Sequence, residues 1–263
     1  GRPTRVTPLY EPLKEAGALY GDTFGWERAK WYAAKDEKEN YSFRRNNSFA
    51  AVAKECKVVR ERVGLTDLTS FSKYEVSGTD AQSFLERLCA NRVPTKAGGI
   101  VLSQMLTEKG GIESEATIAC LAENHYYLLS AAVAELHDFD WLVQHIQKDE
   151  DVSVTNVTED FGVLLITGPL SRDVLSILTE TNLSNESGFT WMQTREISVS
   201  GIPVRALRVS YVGELGWELH CPMPRLGELH DALMQVGKSH GIRRFGTYAM
   251  NSLRMEKAYK GWG

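Results

Sequence analysis

Between residues 100 and 131 three strand-like runs follow one another with very little chain between them. VLSQMLT and EATIACL are separated by the turn EKGG and three further residues, and YYLLSA follows after four more. A parallel pair needs a crossover of a dozen or more residues, so these runs can only pair antiparallel. Around them strands and helices interleave. SKYEVSG leads into TDAQSFLERLCAN, whose Thr79-x-x-Gln82 spacing predicts a capping box. VAELHDFDWLVQHIQ reads as a helix and VSVTNVT as a strand. Beyond them come FGVLLITG, the helix SRDVLSILT, the strands REISVSG, IPVRALRVSYV and WELHCP, and the helix RLGELHDALMQVGKSHG. The expected fold class is α+β, mainly antiparallel sheets with helices. The expected domain is 46–263, in two α+β halves of about 46–158 and 159–263.

The residues before it read differently. GRPTRVTPLYEPLKEAG is rich in proline, lacks an initiator Met and has no apolar stretch of the secretory kind. Residues 1–45 are therefore expected to be an arm or linker belonging to something longer. The first clear helix is NSFAAVAKECKVVRERVG, where Phe49, Val52, Cys56, Val59 and Val63 recur at spacings of three and four. Ser48 is its expected N-cap and Gly64 its stop.

Composition excludes several function classes. The 30 basic and 34 acidic residues give a net charge of -4 and form no basic stripe, so neither nucleic acid nor a membrane surface is indicated. Cys56, Cys89, Cys120 and Cys221 are widely spaced, which suits free thiols better than disulfides or zinc. No apolar run approaches the ~18 residues of a membrane span. No G-x-G-x-x-G follows a strand, so the chain alone is expected to bind no FAD. His137 and His145, eight apart, lack a third ligand at suitable spacing, and no metal is expected.

Two acidic hairpins remain. In MLTEKGGIESEATIACL, Gly110 and Gly111 can supply the positive φ of a turn. Glu113, Glu115 and Thr117 then share one strand face by the period of two. In VSYVGELGWELHCPM, Tyr211 is expected to end one strand, Gly213 and Gly216 to allow a tight turn, and Glu218 to head the next. Both stretches also read as plain hairpins with solvated glutamates, and residue pattern alone favours that plainer reading.

A resemblance does bear on it. PLYEPLKEAGALYGDTFGWERAKWYA, YSFRRNNSF, MLTEKGGIESEATI, SYVGELGWELH and FGTYAMNSLRMEKAYKGWG resemble, in order, the folate-binding region of dimethylglycine and sarcosine dehydrogenases. More distantly they resemble the aminomethyltransferase (T-protein) of glycine cleavage. The resemblance implies the T-protein folate-binding fold, with the chain stopping before that fold's C-terminal barrel. It implies tetrahydrofolate as cofactor and FAD only in a missing N-terminal domain. The implied partner is a methylamine-oxidising flavin domain or subunit, in the mitochondrial matrix or a bacterial cytoplasm. Glu115 falls at the family's catalytic carboxylate, and Glu218 at the glutamate that hydrogen-bonds the pterin ring. Tyr211, Leu219, His220, Ala116, Thr117, Phe71, Leu102 and Leu129 fall at further folate contacts, and Glu214 at a turn. Two departures, Ala131 for Asn and Met250 for Arg, argue against a glycine-cleavage role. The implied alternatives are a non-catalytic regulator of the same fold, like the regulatory subunit of pyruvate dehydrogenase phosphatase, or a folate-dependent S- or O-demethylase. The regulator lacks the G-E-L-G-W-E run that this chain keeps.

Overall fold

A computed structural model describes residues 1–34, 37–186 and 188–262. The strands are β1 (Ala18–Thr23), β2 (Trp26–Tyr32), β3 (Gly64–Asp67), β4 (Ser72–Ser77), β5 (Ile100–Leu106), β6 (Ile112–Ala122) and β7 (His125–Ser130). They continue with β8 (Ser153–Asn156), β9 (Phe161–Thr167), β10 (Thr194–Val199), β11 (Ile202–Leu207), β12 (Gly216–Pro222) and β13 (Arg243–Arg244). The helices are α1 (Tyr10–Glu15), α2 (Ser48–Glu61), α3 (Ala81–Leu88), α4 (Glu135–Gln144), α5 (Ser171–Leu178), α6 (Leu226–Gly237) and α7 (Thr247–Glu256). The fold is α+β, as expected, and no closed barrel occurs among the described residues.

Two compact units divide the chain. One comprises Ser70–Asp160, Trp191–Arg195 and the chain end from Gly261. Its sheet runs β5-β6-β7-β4-β8, every neighbour antiparallel, as short connections require. Along β6 the side chains of Ser114, Ala116, Ile118 and Cys120 are buried, the last three in one apolar cluster with Phe84 and Leu85 of α3 and Leu142 of α4. Glu115 and Thr117 point to the opposite face. The expected capping box does not form: Asp80 holds the N-cap position of α3 without a side-chain cap, and the Thr79 hydroxyl donates instead to Asp151 Oδ2 at 2.9 Å.

The other unit comprises Gly1–Thr69, Phe161–Thr190 and Glu196–Lys260. Its six-stranded sheet runs β10-β11-β12-β9-β3-β13, with β3 antiparallel to β9 and β13 parallel to β3. Leu164 and Ile166 of β9 and Trp217, Leu219 and Cys221 of β12 form one core with Val174 and Leu175 of α5 and Leu226, Leu229 and Leu233 of α6. Each such side chain contributes about 1.5–3 kcal/mol on full burial.

The first 69 residues correct two expectations. Residues 1–45 do not form a bare arm: they hold α1 and the β1–β2 hairpin, and Leu9, Leu13 and Ala18 are buried in this unit's core. Pro12 lies in the first turn of α1, where a missing N–H costs nothing. The compact units also depart from the expected halves, because α2 and β3 belong with the later strands. The stripe on α2 is narrower than its spacing suggests, with Phe49 half exposed and Val59 fully buried. Ser48 caps nothing: its hydroxyl turns back to Asn46 Oδ1.

Candidate functional site

Register across the five-stranded sheet places several of the expected residues in line. Leu102 of β5 lies opposite Thr117 of β6, which lies opposite Leu129 of β7, which in turn lies opposite Lys73 of β4. Paired residues share a face, so these four side chains form one row. Leu102 is 48% exposed, whereas Leu129 and Lys73 are buried. Glu115 sits one row along, opposite Gln104, whose Nε2 donates to Glu115 Oε2 at 2.7 Å. The other carboxylate oxygen takes no hydrogen bond among the described residues. The Glu115 carboxylate is thus held in one orientation with an acceptor to spare.

Three neighbours depart from the expected arrangement. Ala116 is buried in the helix-side cluster, because alternation turns it away from Glu115. Glu113 does not share Glu115's face either. Met105 pairs with Ser114 and Leu106 with Ile112, so Glu113 is the extra residue of a β-bulge, and its carboxylate meets His137 Nε2 of α4 at 2.9 Å. In the EKGG turn only Gly110 takes positive φ, at 79°. Phe71 lies in the bend before β4, its carbonyl accepting from Lys73 Nζ at 2.7 Å. Lys73 also donates to the Thr158 carbonyl, at 3.0 Å.

In the other unit, β11 ends at Leu207, earlier than its sequence suggests, and residues 208–215 form the connection to β12. Tyr211 is therefore a turn residue. Its hydroxyl donates to the Lys260 carbonyl at 2.9 Å, and the Arg254 guanidinium lies 5.8 Å from its ring centre. Glu214 faces Lys257 at 3.6 Å, in keeping with a turn role. Gly216 is already in the strand. It is needed for close approach, since a Cβ there would stand 2.7 Å from the Ile166 carbonyl oxygen. Glu218 is the third residue of β12, paired with Leu207 and Leu165, its side chain 15% exposed. His220 Nε2, on the same face, is 3.4 Å from Glu218 Oε2. Leu219 points the other way, into the core beside Trp217 and Cys221, so its side chain lines no wall with Glu218. Trp217 is fully buried, with the Phe189 ring edge-on to it at 6.4 Å between ring centres and the Arg208 guanidinium 5.6 Å from its ring centre.

Comparison with known proteins decides the family. The GCVT N-terminal domain family matches residues 9–263. The chain belongs to this family. Over its whole length it is 42% identical to human mitochondrial dimethylglycine dehydrogenase, of which it covers 30%. It is 31% identical to the regulatory subunit of mouse mitochondrial pyruvate dehydrogenase phosphatase, of which it covers 31%. The crystal structure of the glycine cleavage system aminomethyltransferase T from Bartonella henselae superposes with a TM-score of 0.79 at 26% identity, covering 97% of this chain and 63% of that one. The chain thus spans about a third of the length of these curated relatives.

Within this GCVT domain the two histidines have separate surroundings. His137 lies between Glu113 and Asp138 Oδ1, at 3.0 Å from the latter, and these carboxylates, Asp138 foremost, raise its pKa. His145 Nδ1 instead meets the Trp141 carbonyl at 2.7 Å, with the two rings 4.1 Å apart. Among the described residues no group of three or more His, Cys, Asp or Glu could hold a metal ion. No described helix is long and apolar enough to cross a membrane. Sequence reasoning missed Gln104 and Lys73. Gln104 was within reach, because a turn centred on EKGG sets it opposite Glu115; the buried Lys73 left no signal in the pattern.

Proposed function

We propose that this GCVT domain binds tetrahydrofolate and captures one-carbon units in a dimethylglycine or sarcosine dehydrogenase-like protein. FAD would be carried by a separate amine-oxidising domain or subunit, in the mitochondrial matrix or a bacterial cytoplasm. The observation that carries the reading is Glu115: a carboxylate oriented by Gln104, one oxygen unengaged, beside a row with the exposed face of Leu102. The residues fit the ligand. Parallel N–H donors on a pterin ring match a carboxylate acceptor, and the only hydrogen bond to the Glu218 carboxylate among the described residues is the long one from His220. Leu102, Leu129 and Phe71 offer apolar surface for aromatic rings. When bound, tetrahydrofolate supplies the nitrogen nucleophile that takes up a one-carbon unit. In this reading Glu218 orients the ligand, Leu102 and Leu129 exclude water, and Glu115 holds the proton given up, as a general base within hydrogen-bond reach.

The rival reading, a regulator of the same fold, draws on the phosphatase subunit at 31% identity. The intact YVGELGWELH run supports the folate reading over it. A calorimetric titration of the folded protein with tetrahydrofolate separates the two. Saturable binding that Glu218→Ala weakens is expected; folded protein that takes up no folate would leave the regulator.

A further inference from the structure

A hollow of about 460 Å³ opens between the end of α6 and the edge strand β13, within the range of small-ligand sites. Asp231, Gln235, Lys238, Gly241, Arg243 and Arg244 line it, so three cations face one carboxylate in a chain whose net charge is -4. That carboxylate is already engaged. Asp231 Oδ1 lies 2.9 Å from Nδ1 of the buried His230, and Arg244 Nε donates to His230 Nε2 at 3.1 Å. The two bonds are compatible only with a neutral imidazole, protonated on Nδ1 and accepting at Nε2. Burial first, and the Arg244 charge after it, keep His230 below the ordinary histidine pKa despite Asp231.

The consequence falls on Arg244. Its Nε is fixed by a neutral partner, so the guanidinium is oriented while both Nη groups and the full charge remain available. Among the described residues neither Lys238, Arg243 nor Arg244 forms an ion pair with a carboxylate; Lys238 Nζ donates to the Gln235 amide oxygen at 2.7 Å. The end of a helix ordinarily repels anions. Here two of the carbonyls that would do so are occupied: Gly237 O accepts from Ile242 N–H and Lys238 O from Gly241 N–H.

We infer that this hollow binds a small multivalent oxyanion, a ligand carrying a phosphate or several carboxylates, with Arg244 as the oriented anchor and Arg243 and Lys238 as its flanking charges. None of its lining residues is among those assigned to folate, so the inference stands apart from that assignment.

Titration of the intact protein with inorganic phosphate and with citrate, at ionic strength held constant with chloride, tests it. Saturable binding of both anions is expected, with amide shifts confined to residues 231–244. Arg244→Gln and Arg243→Gln should each weaken it about tenfold, the scale of a lost hydrogen bond to a charged group. If Arg244→Gln fails to fold by circular dichroism, Arg243→Gln and Lys238→Gln decide the matter from the surface. Chloride producing the same shifts, or variants that bind as the parent does, would overturn the inference.

Discussion

A carboxylate on a sheet is costly unless something needs it there, and Glu115 and Glu218 answer that demand differently. Glu115 is held by one amide and is assigned a proton; Glu218 is assigned a ligand to orient. Their variants should therefore separate. Glu115→Gln keeps size and the partnership with Gln104 but cannot accept a proton, and a general base contributes typically ~10²–10⁴-fold to a rate. In a full-length protein with an amine-oxidising flavin domain, this variant should still oxidise the amine, with formaldehyde appearing in place of methylenetetrahydrofolate. An unchanged product ratio at saturating folate would reduce Glu115 to a strand carboxylate that only pairs with Gln104. Glu218→Ala, by contrast, leaves ligand donors unpaired and should cost on the order of 2 kcal/mol of folate affinity, with Glu218→Gln costing less. Calorimetry reading equal affinity for Glu218→Ala and parent would move the site elsewhere.

Elements show where sequence pattern stops informing. The run of short connections dictated antiparallel pairing in β5–β6–β7, and the alternation inside EATIACL put Thr117 on the face of Glu115. Neither pattern marks a bulge. One extra residue in β6 turns Glu113 to His137, a consequence of pairing across strands that no window along one strand contains. Likewise the resemblance puts Leu219 and Ala116 at folate contacts, and strict alternation sends both side chains into cores. The apolar run VRALRVSYV reads as one strand, yet pairing stops at Leu207 and Tyr211 is spent on the chain beyond α7. That contact is testable. Tyr211→Phe removes one hydrogen bond, worth about 1 kcal/mol. Amides of Ala258 to Lys260 should then exchange faster while those of β9 keep their protection. Equal exchange in both proteins would show that the hydroxyl does not secure that segment.

At the scale of the whole molecule, one buried acid joins parts of the chain that lie far apart in sequence. Glu55 of α2 accepts the Tyr32 N–H from β2 at 2.8 Å and the Gly246 N–H before α7 at 2.9 Å. These bonds favour the carboxylate, but burial outweighs them and raises its pKa from 4.5 to about 7. A group that binds its proton more tightly when folded stabilises the fold fully below its unfolded pKa, and the benefit is lost as pH rises through the folded value. Glu55 should therefore make the protein less stable by roughly 3 kcal/mol between pH 4.5 and pH 7. His137, also raised, adds to that slope, and His230, lowered, opposes it, so total stability alone does not isolate Glu55. The difference from Glu55→Gln does. The amide presents NH2 to one of two backbone donors, so the variant should be less stable at pH 5 by about 1–3 kcal/mol. The gap should shrink toward pH 8, because only the parent loses its proton there. Urea unfolding of both proteins at pH 5, 6, 7 and 8 measures it. A gap that stays constant over this range would mean that Glu55 is ionised throughout and that its two N–H donors, rather than burial, set its charge.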